Sequence, residues 1–194
     1  KGWHYVDPGS PSSGALEAFR KDPRAAPLET RSGLIEIYCS RIAESCQGDI
    51  LPHPAWYAPE EWLGSVSSQH RFHLISGQPA EKLHSQLDHG PQSQLAKVDG
   101  RTVASINPID AKTLGVFEGD LLRVHNDRGA CLVSARLDPS LMKGCIAIST
   151  GAWLDAAQQE NGTLICLNGN PNTLTRDQGT SRVAQGPTAH SCLV

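Results

Sequence analysis

The sequence lacks the features that mark membrane and nucleic-acid-binding proteins. Its longest apolar runs, such as residues 145–148 and 164–167, have the length of a strand and fall far short of the roughly 18 residues of a membrane span. Lysine and arginine number 17 against 20 aspartates and glutamates, for a formal charge of -3. Because no excess of basic residues suggests a polyanionic partner, we expect neither nucleic-acid binding nor membrane insertion.

The familiar catalytic and metal-binding motifs are also missing. The sequence contains no C-x-x-C, no G-x-S-x-G and neither of the glycine-rich nucleotide loops. The pairs His70/His73 and His84/His89 have no partnering cysteine or carboxylate pattern. We therefore assign no catalytic residue and no protein metal ligand within this chain.

Six cysteines are spread through a chain that is long enough to bury a core without disulfides. Several of them lie in apolar runs, which is typical of small buried hydrophobic side chains in a reducing compartment. This interpretation favours the cytoplasm slightly over the periplasm, and the localisation otherwise stays open.

The first 70 residues are rich in proline, glycine and serine. Residues 1–30 read as a wrapping arm with one short helix at 15–21, residues 34–39 have the composition of a strand, and residues 47–69 return to loop. The chain begins with Lys1 and stops inside an expected strand, so we expect a segment of a longer protein. Residues 1–70 are then an irregular arm and connecting segment that packs on domains outside this chain.

Regular structure is concentrated in residues 71–194. Asn107, Pro108 and Gly115 have the spacing of a helix N-cap, first helical residue and C-terminal glycine. The turn 126–129 joins two alternating segments into a hairpin. About seven short strands around one helix favour a small closed barrel; they are expected at residues 72–76, 103–106, 121–125, 130–137, 145–148, 163–167 and 192–194.

Two polar loops, 76–86 and 168–185, offer amides, hydroxyls and backbone N–H groups at high density. Paired donors and acceptors suit the edge of a base or a pterin, and glycine permits close approach to a phosphate. The alternative is that these are ordinary solvated loops.

An ordered set of motifs gives the sequence a family resemblance. It comprises Phe72-His-Leu-Ile-Ser-Gly-Gln-Pro79, Leu83-His-Ser-Gln-Leu87, Gly151-Ala-Trp153, the run 170–181, and Ala184-Gln-Gly186. In this order, the set resembles the C-terminal domain that binds molybdopterin guanine dinucleotide in the dimethyl sulfoxide reductase family, nearest to biotin sulfoxide and trimethylamine-N-oxide reductases. The resemblance implies a mainly β domain, a six-stranded double-psi β-barrel at 71–194 with short helices.

The resemblance also implies the cofactor, the activity and the site. The full-length protein would hold molybdenum-bis(molybdopterin guanine dinucleotide) and reduce a small S-oxide or N-oxide with electrons from a donor. This segment would bind one dinucleotide and cover the active site, without the molybdenum ligand and inactive alone. The expected cofactor-binding residues are Ser76, Gly77, Gln78, His84, Ser85, Gln86, Asn172 and Gln185.

One alternative comes from a different class. A free-standing β-barrel used as a binding module, without redox activity, would have the same composition and strand pattern. The expected partners under the first interpretation are the upstream domains of the same enzyme, the oxide substrate and the electron donor.

Overall fold

The structure is a computed structural model that describes residues 14, 16–45, 48, 50–64, 70–160, 162–182, 185–186 and 192–194. Most of the expected N-terminal arm before residue 16 lies outside the described residues. The chain divides into two compact units, Lys1–Trp56 and Tyr57–Val194. In the described part of the chain, no helix has the length and hydrophobicity needed to cross a membrane.

The first unit contains two one-turn helices, α1 (Glu17–Lys21) and α2 (Ser40–Glu44). The helix expected at 15–21 is confirmed by α1. The strand expected at 34–39 is wrong, because this segment is irregular, with bends at residues 34, 37 and 38. Its apolar side chains are mostly exposed, with Ile37 at 75%, and β-branched residues favour a strand only where a neighbouring strand and a buried face are available.

The second unit is built mainly from strands. Its helices are α3 (Pro91–Ala96), α4 (Pro108–Leu114) and a short 3-10 helix (Pro171–Thr173). Its strands are β1 (His73–Ile75), β2 (Val103–Ile106), β3 (Leu121–His125), β4 (Ala130–Leu137), β5 (Cys145–Ile148), β6 (Ala156–Gln158) and β7 (Leu164–Cys166).

These strands form one mixed, curled sheet in the order β1-β5-β2-β4-β7-β6, with β3 paired to β4. β1 runs parallel to β5, and β4 runs parallel to both β2 and β7. β4 is the longest strand and is buried along most of its length, as expected for a strand covered on both faces. The domain is therefore mainly β with few short helices.

The core lies around strands β1, β4 and β5. Ten buried residues form it, including Leu74, Val133, Ile146 and Ile148. The C-terminus closes the core beside β1, because Leu74 N donates to Cys192 O at 2.9 Å and Val194 N donates to Phe72 O at 2.9 Å. The strand expected at 192–194 is present as this short pairing, which includes an antiparallel bridge between His73 and Leu193.

The five described cysteines are free thiols, and four of them are buried. Cys131 and Cys166 are cross-strand neighbours on β4 and β7. Burial, with a smaller contribution from Cys166, raises the pKa of Cys131 to about 12. A thiol that stays protonated acts as a small apolar side chain, in agreement with the sequence interpretation.

Helix α4 follows its sequence signals closely. Asn107 Oδ1 accepts a hydrogen bond from Ile109 N at 2.9 Å, Pro108 is the first helical residue, and Gly115 ends the helix at φ +71°. The hairpin of β3 and β4 is also confirmed. Short-range chemistry decides both features, so the sequence could predict them.

The segment 79–86, where Pro79 predicts a short turn or helix, contains turns and a bridge between Leu83 and Gln86, so the turn is confirmed. Two further elements were missed. Helix α3 and strand β6 were not expected. Both are short, and β6 exists because it pairs with β7.

Substituting Asn107→Ala should destabilise the second unit by about 1–3 kcal/mol. The change removes the N-cap and also a hydrogen bond from Asn107 Nδ2 to Leu141 O at 2.7 Å. Urea denaturation measures the free energy of unfolding. Lys112→Ala on the same helix is the control and should change it by less than about 0.5 kcal/mol; equal effects of the two variants would contradict the assigned cap.

Candidate functional site

The candidate site is assembled from segments that follow β1, β5 and β7. Because β1 and β5 run parallel, their carboxyl ends lie at one edge of the sheet, and Ser76 and Thr150 follow there. Thr150 N donates to Gly77 O at 3.0 Å, which joins the two segments. The stretch after β7 brings Asn168 and Asn170 to the same region.

A buried carboxylate ties these segments together. The side chain of Asp88 is fully buried and accepts hydrogen bonds from Lys82 Nζ at 2.6 Å, Lys97 Nζ at 3.3 Å, Trp153 N at 3.0 Å and Asn168 Nδ2 at 3.2 Å. Both lysine side chains are almost completely buried. The four donors come from four separate parts of the chain, so Asp88 fixes their relative positions.

The pKa of Asp88 reflects this arrangement. Burial by itself would raise the pKa of the carboxyl group, because desolvation penalises the charged form. The hydrogen bonds from Lys82 and Trp153 and the charges of Lys82 and Lys97 outweigh burial and lower the pKa to about 2. Asp88 is therefore a carboxylate at neutral pH.

The loop at 83–87 has an unusual backbone that other residues hold in place. His84 and Leu87 adopt left-handed conformations, with φ of +50° and +64°. The Gln78 side chain bridges the loop, because its Nε2 donates to Lys82 O at 2.6 Å and its Oε1 accepts from His84 N at 3.2 Å. Trp153 Nε1 donates to Ser85 O at 2.7 Å.

Gly151 lies directly against this loop. Its φ is +89°, and a Cβ atom built there would lie 1.7 Å from His84 O. No side chain fits at this position unless the loop moves. The motif Gly151-Ala-Trp153 therefore has two structural roles, close approach at the glycine and hydrogen bonding at the tryptophan.

A cleft of about 760 Å³ opens between these segments. Five of the eight predicted cofactor-binding residues line it, namely Ser76, Gln78, His84, Ser85 and Asn172. Additional lining residues, which the site prediction did not include, are Thr150, Gly151, Ala152, Trp153, Leu154 and Asn170.

The other three predicted residues are placed elsewhere. Gly77 lines a neighbouring cavity. Gln86 N donates to Leu83 O in a turn, and Gln185 Nε2 donates to Ser181 O at 2.6 Å. Neither glutamine is among the residues that line the cleft.

One residue of the cleft wall has a buried polar atom without a partner. Ser76 is 6% exposed, and its Oγ atom makes no hydrogen bond in the described structure. Such groups are rare in native interiors. Among the described residues, no cluster of three or more histidine, cysteine, aspartate or glutamate side chains is arranged to hold a metal ion.

Two important residues of this site, Asp88 and Trp153, were not among the predicted site residues. Both lie in or next to a motif of the family resemblance, because Asp88 directly follows Leu83-His-Ser-Gln-Leu87 and Trp153 ends Gly151-Ala-Trp153. The sequence does not indicate the partners of Asp88, since Lys97 and Asn168 are distant from it in the chain.

The fold has a known counterpart. Acetylene hydratase from Pelobacter acetylenicus superposes with a TM-score of 0.67 at 18% sequence identity, over 89% of this chain and 24% of that protein. At this identity, the likeness shows a shared mainly β fold.

Sequence comparison then identifies the family. Residues 72–193 match the family described as "Molydopterin dinucleotide binding domain", and the chain belongs to this family. The family resemblance inferred from the ordered motifs is thereby confirmed.

Several curated proteins are similar over most of the chain. Biotin sulfoxide reductase of Cereibacter sphaeroides is 44% identical over 92% of the chain. Trimethylamine-N-oxide reductase of Haemophilus influenzae is 39% identical over 91%, and dimethyl sulfoxide/trimethylamine N-oxide reductase of Cereibacter sphaeroides is 42% identical over 90%. The chain spans only 24%, 22% and 21% of these relatives, respectively.

Substituting Gly151→Ala should destabilise the chain strongly, by more than about 3 kcal/mol. The added methyl group would overlap His84 O, whose residue lies in the cleft wall. Gly119→Ala is a matched control, because Gly119 has a similar φ of +83° but an open surrounding. The control should cost about 1 kcal/mol; equal denaturation midpoints for the two variants would disprove the close contact.

Acid should weaken the fold through Asp88. The folded-state pKa of Asp88 is about 2, below the usual range of an aspartate, so the unfolded chain binds the proton more tightly. The stabilisation is present above pH 4, and about 2 kcal/mol of it should be lost between pH 5 and pH 2. Urea denaturation across this range measures the loss.

The contribution of Asp88 is isolated by difference. Asp88→Asn should show a shallower pH dependence than the parent chain, and the exposed control Asp155→Asn should keep the parent's slope. If Asp88→Asn does not fold, Lys97→Gln provides a milder variant and should flatten the slope in part. If the stability of both Asp88→Asn and Lys97→Gln depends on pH as steeply as that of the parent chain, the role of Asp88 is contradicted.

Proposed function

We propose that this chain binds one molybdopterin guanine dinucleotide in the cleft lined by Ser76, His84, Ser85 and Asn172. The observation that carries the proposal is that Ser76, Gln78, His84, Ser85 and Asn172, which come from two loops far apart in the sequence, line one cleft. The family assignment supports a dinucleotide as the ligand.

The residues present fit the polar parts of such a cofactor. Ser85 and His84 are exposed at the cleft and can donate to phosphate or pterin oxygens. Asn172 presents a donor and an acceptor that can pair with the edge of a heterocycle. Asn172 is held in position because its backbone N donates to Asn170 Oδ1 at 2.9 Å.

The remaining predicted residues have supporting roles in this proposal. Gln78 positions His84 through the hydrogen bonds described above, and Gly77 leaves space at the segment that follows β1. Gln86 and Gln185 stay as proposed contacts to parts of the dinucleotide beyond the cleft. Both side chains are exposed.

For the whole protein we propose a molybdenum-dependent reductase of an S-oxide or N-oxide. Molybdenum held by two pterin dinucleotides would supply the two-electron redox chemistry. The described residues would bind and orient one dinucleotide and exclude water from it, without a metal ligand of their own and without activity alone. The names of the relatives support the substrate class.

We further propose a six-stranded double-psi barrel for residues 71–194, with residues 1–70 packing on upstream domains. The curled sheet and the pairing of the C-terminus with β1 support the barrel. The family match, which begins at residue 72, supports the start of the domain. An electron donor and the oxide substrate complete the proposed partners.

The alternative is a free-standing binding module without redox activity. The chain spans only 21–24% of relatives that are named as reductases, which favours a part of a larger enzyme over such a module. The length of the complete open reading frame separates the two hypotheses, since several hundred upstream residues favour the reductase.

Titrating the 194-residue chain with GDP and with released molybdopterin guanine dinucleotide tests the cleft. Amide NMR should show saturable shifts at residues 84–86 and 170–173. His84→Ala and Asn172→Ala should each weaken binding about tenfold, the value of one hydrogen bond to a charged or buried partner.

His125→Ala is the control, because His125 is an exposed histidine on β3 away from the cleft. This variant should bind both ligands like the parent chain. Binding that is unaffected by His84→Ala and Asn172→Ala would place the ligand elsewhere. No binding even after the upstream portion is restored would overturn the cofactor proposal.

A further inference from the structure

The turn at residues 126–129 joins β3 to β4, and it also contacts the segment 170–174, which carries Asn172 of the proposed cleft. Gly129 is so close to this segment that a Cβ atom built on it would lie 2.8 Å from Thr173 O. Thr173 Oγ1 donates to Ala130 O at 3.1 Å. The turn and the segment 170–174 therefore pack directly against each other.

Within this segment, Asn172 is an exposed residue between two buried ones. Pro171 and Leu174 are buried, with Leu174 at 0% exposure, whereas Asn172 is exposed and lines the cleft. The two buried residues are joined by a hydrogen bond from Leu174 N to Pro171 O at 2.9 Å. Because a single helical turn is unstable by itself, the contacts that hold Leu174 determine where Asn172 is presented.

The carbonyl oxygen of Leu174 is the point at which the turn holds the segment. It accepts hydrogen bonds from Arg128 Nε at 2.6 Å and from Asn126 Nδ2 at 2.8 Å. Cys192 Sγ donates to the same oxygen at 3.2 Å. A carbonyl oxygen has two lone pairs, so the two side chains of the turn are sufficient to satisfy it.

Glu61 fixes the orientation of the Arg128 side chain. Arg128 Nη1 and Nη2 donate to the two carboxylate oxygens of Glu61 at 2.6 and 2.9 Å, and a bidentate pair of this kind constrains the planes of both groups. Glu61 is held in turn by Leu193 N, which donates to its Oε2 at 3.0 Å. The guanidinium group is therefore fixed while its Nε donates to Leu174 O.

This ion pair contributes orientation more than stability. The side chains of Glu61 and Arg128 are 24% and 31% exposed, and ion pairs with this much solvent contact stabilise proteins only slightly. A lysine would keep the charge, but its ammonium group lacks the planar fork that serves Glu61 and Leu174 O together. The geometry of the guanidinium group, rather than its charge, is what this position uses.

We propose that Arg128 is a positioning residue of the dinucleotide cleft, because it holds Leu174 O and thereby presents Asn172 to the ligand. Arg128 is not among the residues that line the cleft, so its effect on binding passes through the segment 170–174 and not through contact with the ligand. This inference rests on the dinucleotide site proposed above.

A double-mutant cycle in the 194-residue chain tests the proposal. GDP and released molybdopterin guanine dinucleotide are titrated into the parent chain, Arg128→Lys, Asn172→Ala and the double variant, with amide NMR as the readout. Arg128→Lys should weaken binding about threefold, which is less than the loss expected for Asn172→Ala, since a positioning residue contributes no more than the contact that it positions. The double variant should bind as weakly as Asn172→Ala alone.

A matched cycle combines Arg128→Lys with His84→Ala. His84 belongs to the separate loop 83–87, so these two losses should add, to about thirtyfold. Arg123→Lys controls for the substitution itself, because Arg123 is an exposed arginine of the same hairpin that donates to Gln159 Oε1 and does not line the cleft. This variant should bind both ligands like the parent chain.

A second readout needs no ligand. In Arg128→Lys without ligand, the amide signals of residues 172–174 should shift, and hydrogen exchange at Leu174 N should become faster. The signals of Ser76 and His84 should stay as in the parent chain, and Arg123→Lys should change none of these signals. If Arg128→Lys does not fold, Glu61→Gln weakens the hold on the guanidinium group and should give the same pattern with a smaller loss of affinity.

Two binding results would overturn the proposal. They are parental affinity in Arg128→Lys, and losses from Arg128→Lys and Asn172→Ala that add in the double variant, since additive losses mean that Arg128 acts independently of Asn172. A parent chain that binds neither ligand, even with the upstream portion restored, overturns the proposed function. In that case the ligand-free readout still decides, because unchanged signals at residues 172–174 in Arg128→Lys would by themselves disprove the positioning role.

Discussion

The complete burial of the Asp88 carboxylate is the constraint on which the site depends. Removing a carboxylate from water costs several kcal/mol unless charged and hydrogen-bonded partners compensate it. Here the partners are Lys82, Lys97, Trp153 N and Asn168 Nδ2. Because these donors come from four parts of the chain, satisfying one carboxylate fixes the loop after β1, the end of α3 and the stretches that follow β5 and β7.

The same network adjoins the cleft. Lys82 reaches back from the loop to Asp88, and Gln78 and Trp153, which hold that loop, line the cleft. The left-handed backbone at His84 is unfavourable for a non-glycine residue and persists because Gly151, Gln78 and Trp153 hold the loop around it. Donors that are fixed before binding lose little entropy when a ligand arrives, which favours recognition of a large polar cofactor.

Much of the architecture was predictable wherever neighbouring residues decide the structure. Asn107, Pro108 and Gly115 mark the bounds of α4, and the turn 126–129 predicts the hairpin of β3 and β4. The segment 34–39 was wrongly predicted as a strand, because local β propensity supplies neither a partner strand nor a buried face. Five of eight predicted site residues meet at the cleft, and the positions of Gln86 and Gln185 depend on turns that the loop composition does not specify.

The sequence by itself determined the family, through motifs whose order and spacing are visible without a structure, and it determined the local elements that capping residues and alternation specify. Only the tertiary structure decided the network around Asp88, the contact of Gly151 with His84 O and the unpartnered hydroxyl of Ser76. Their physical cause is contact between residues far apart in the chain. Burial, desolvation and close approach become defined only when the sheet brings those residues together.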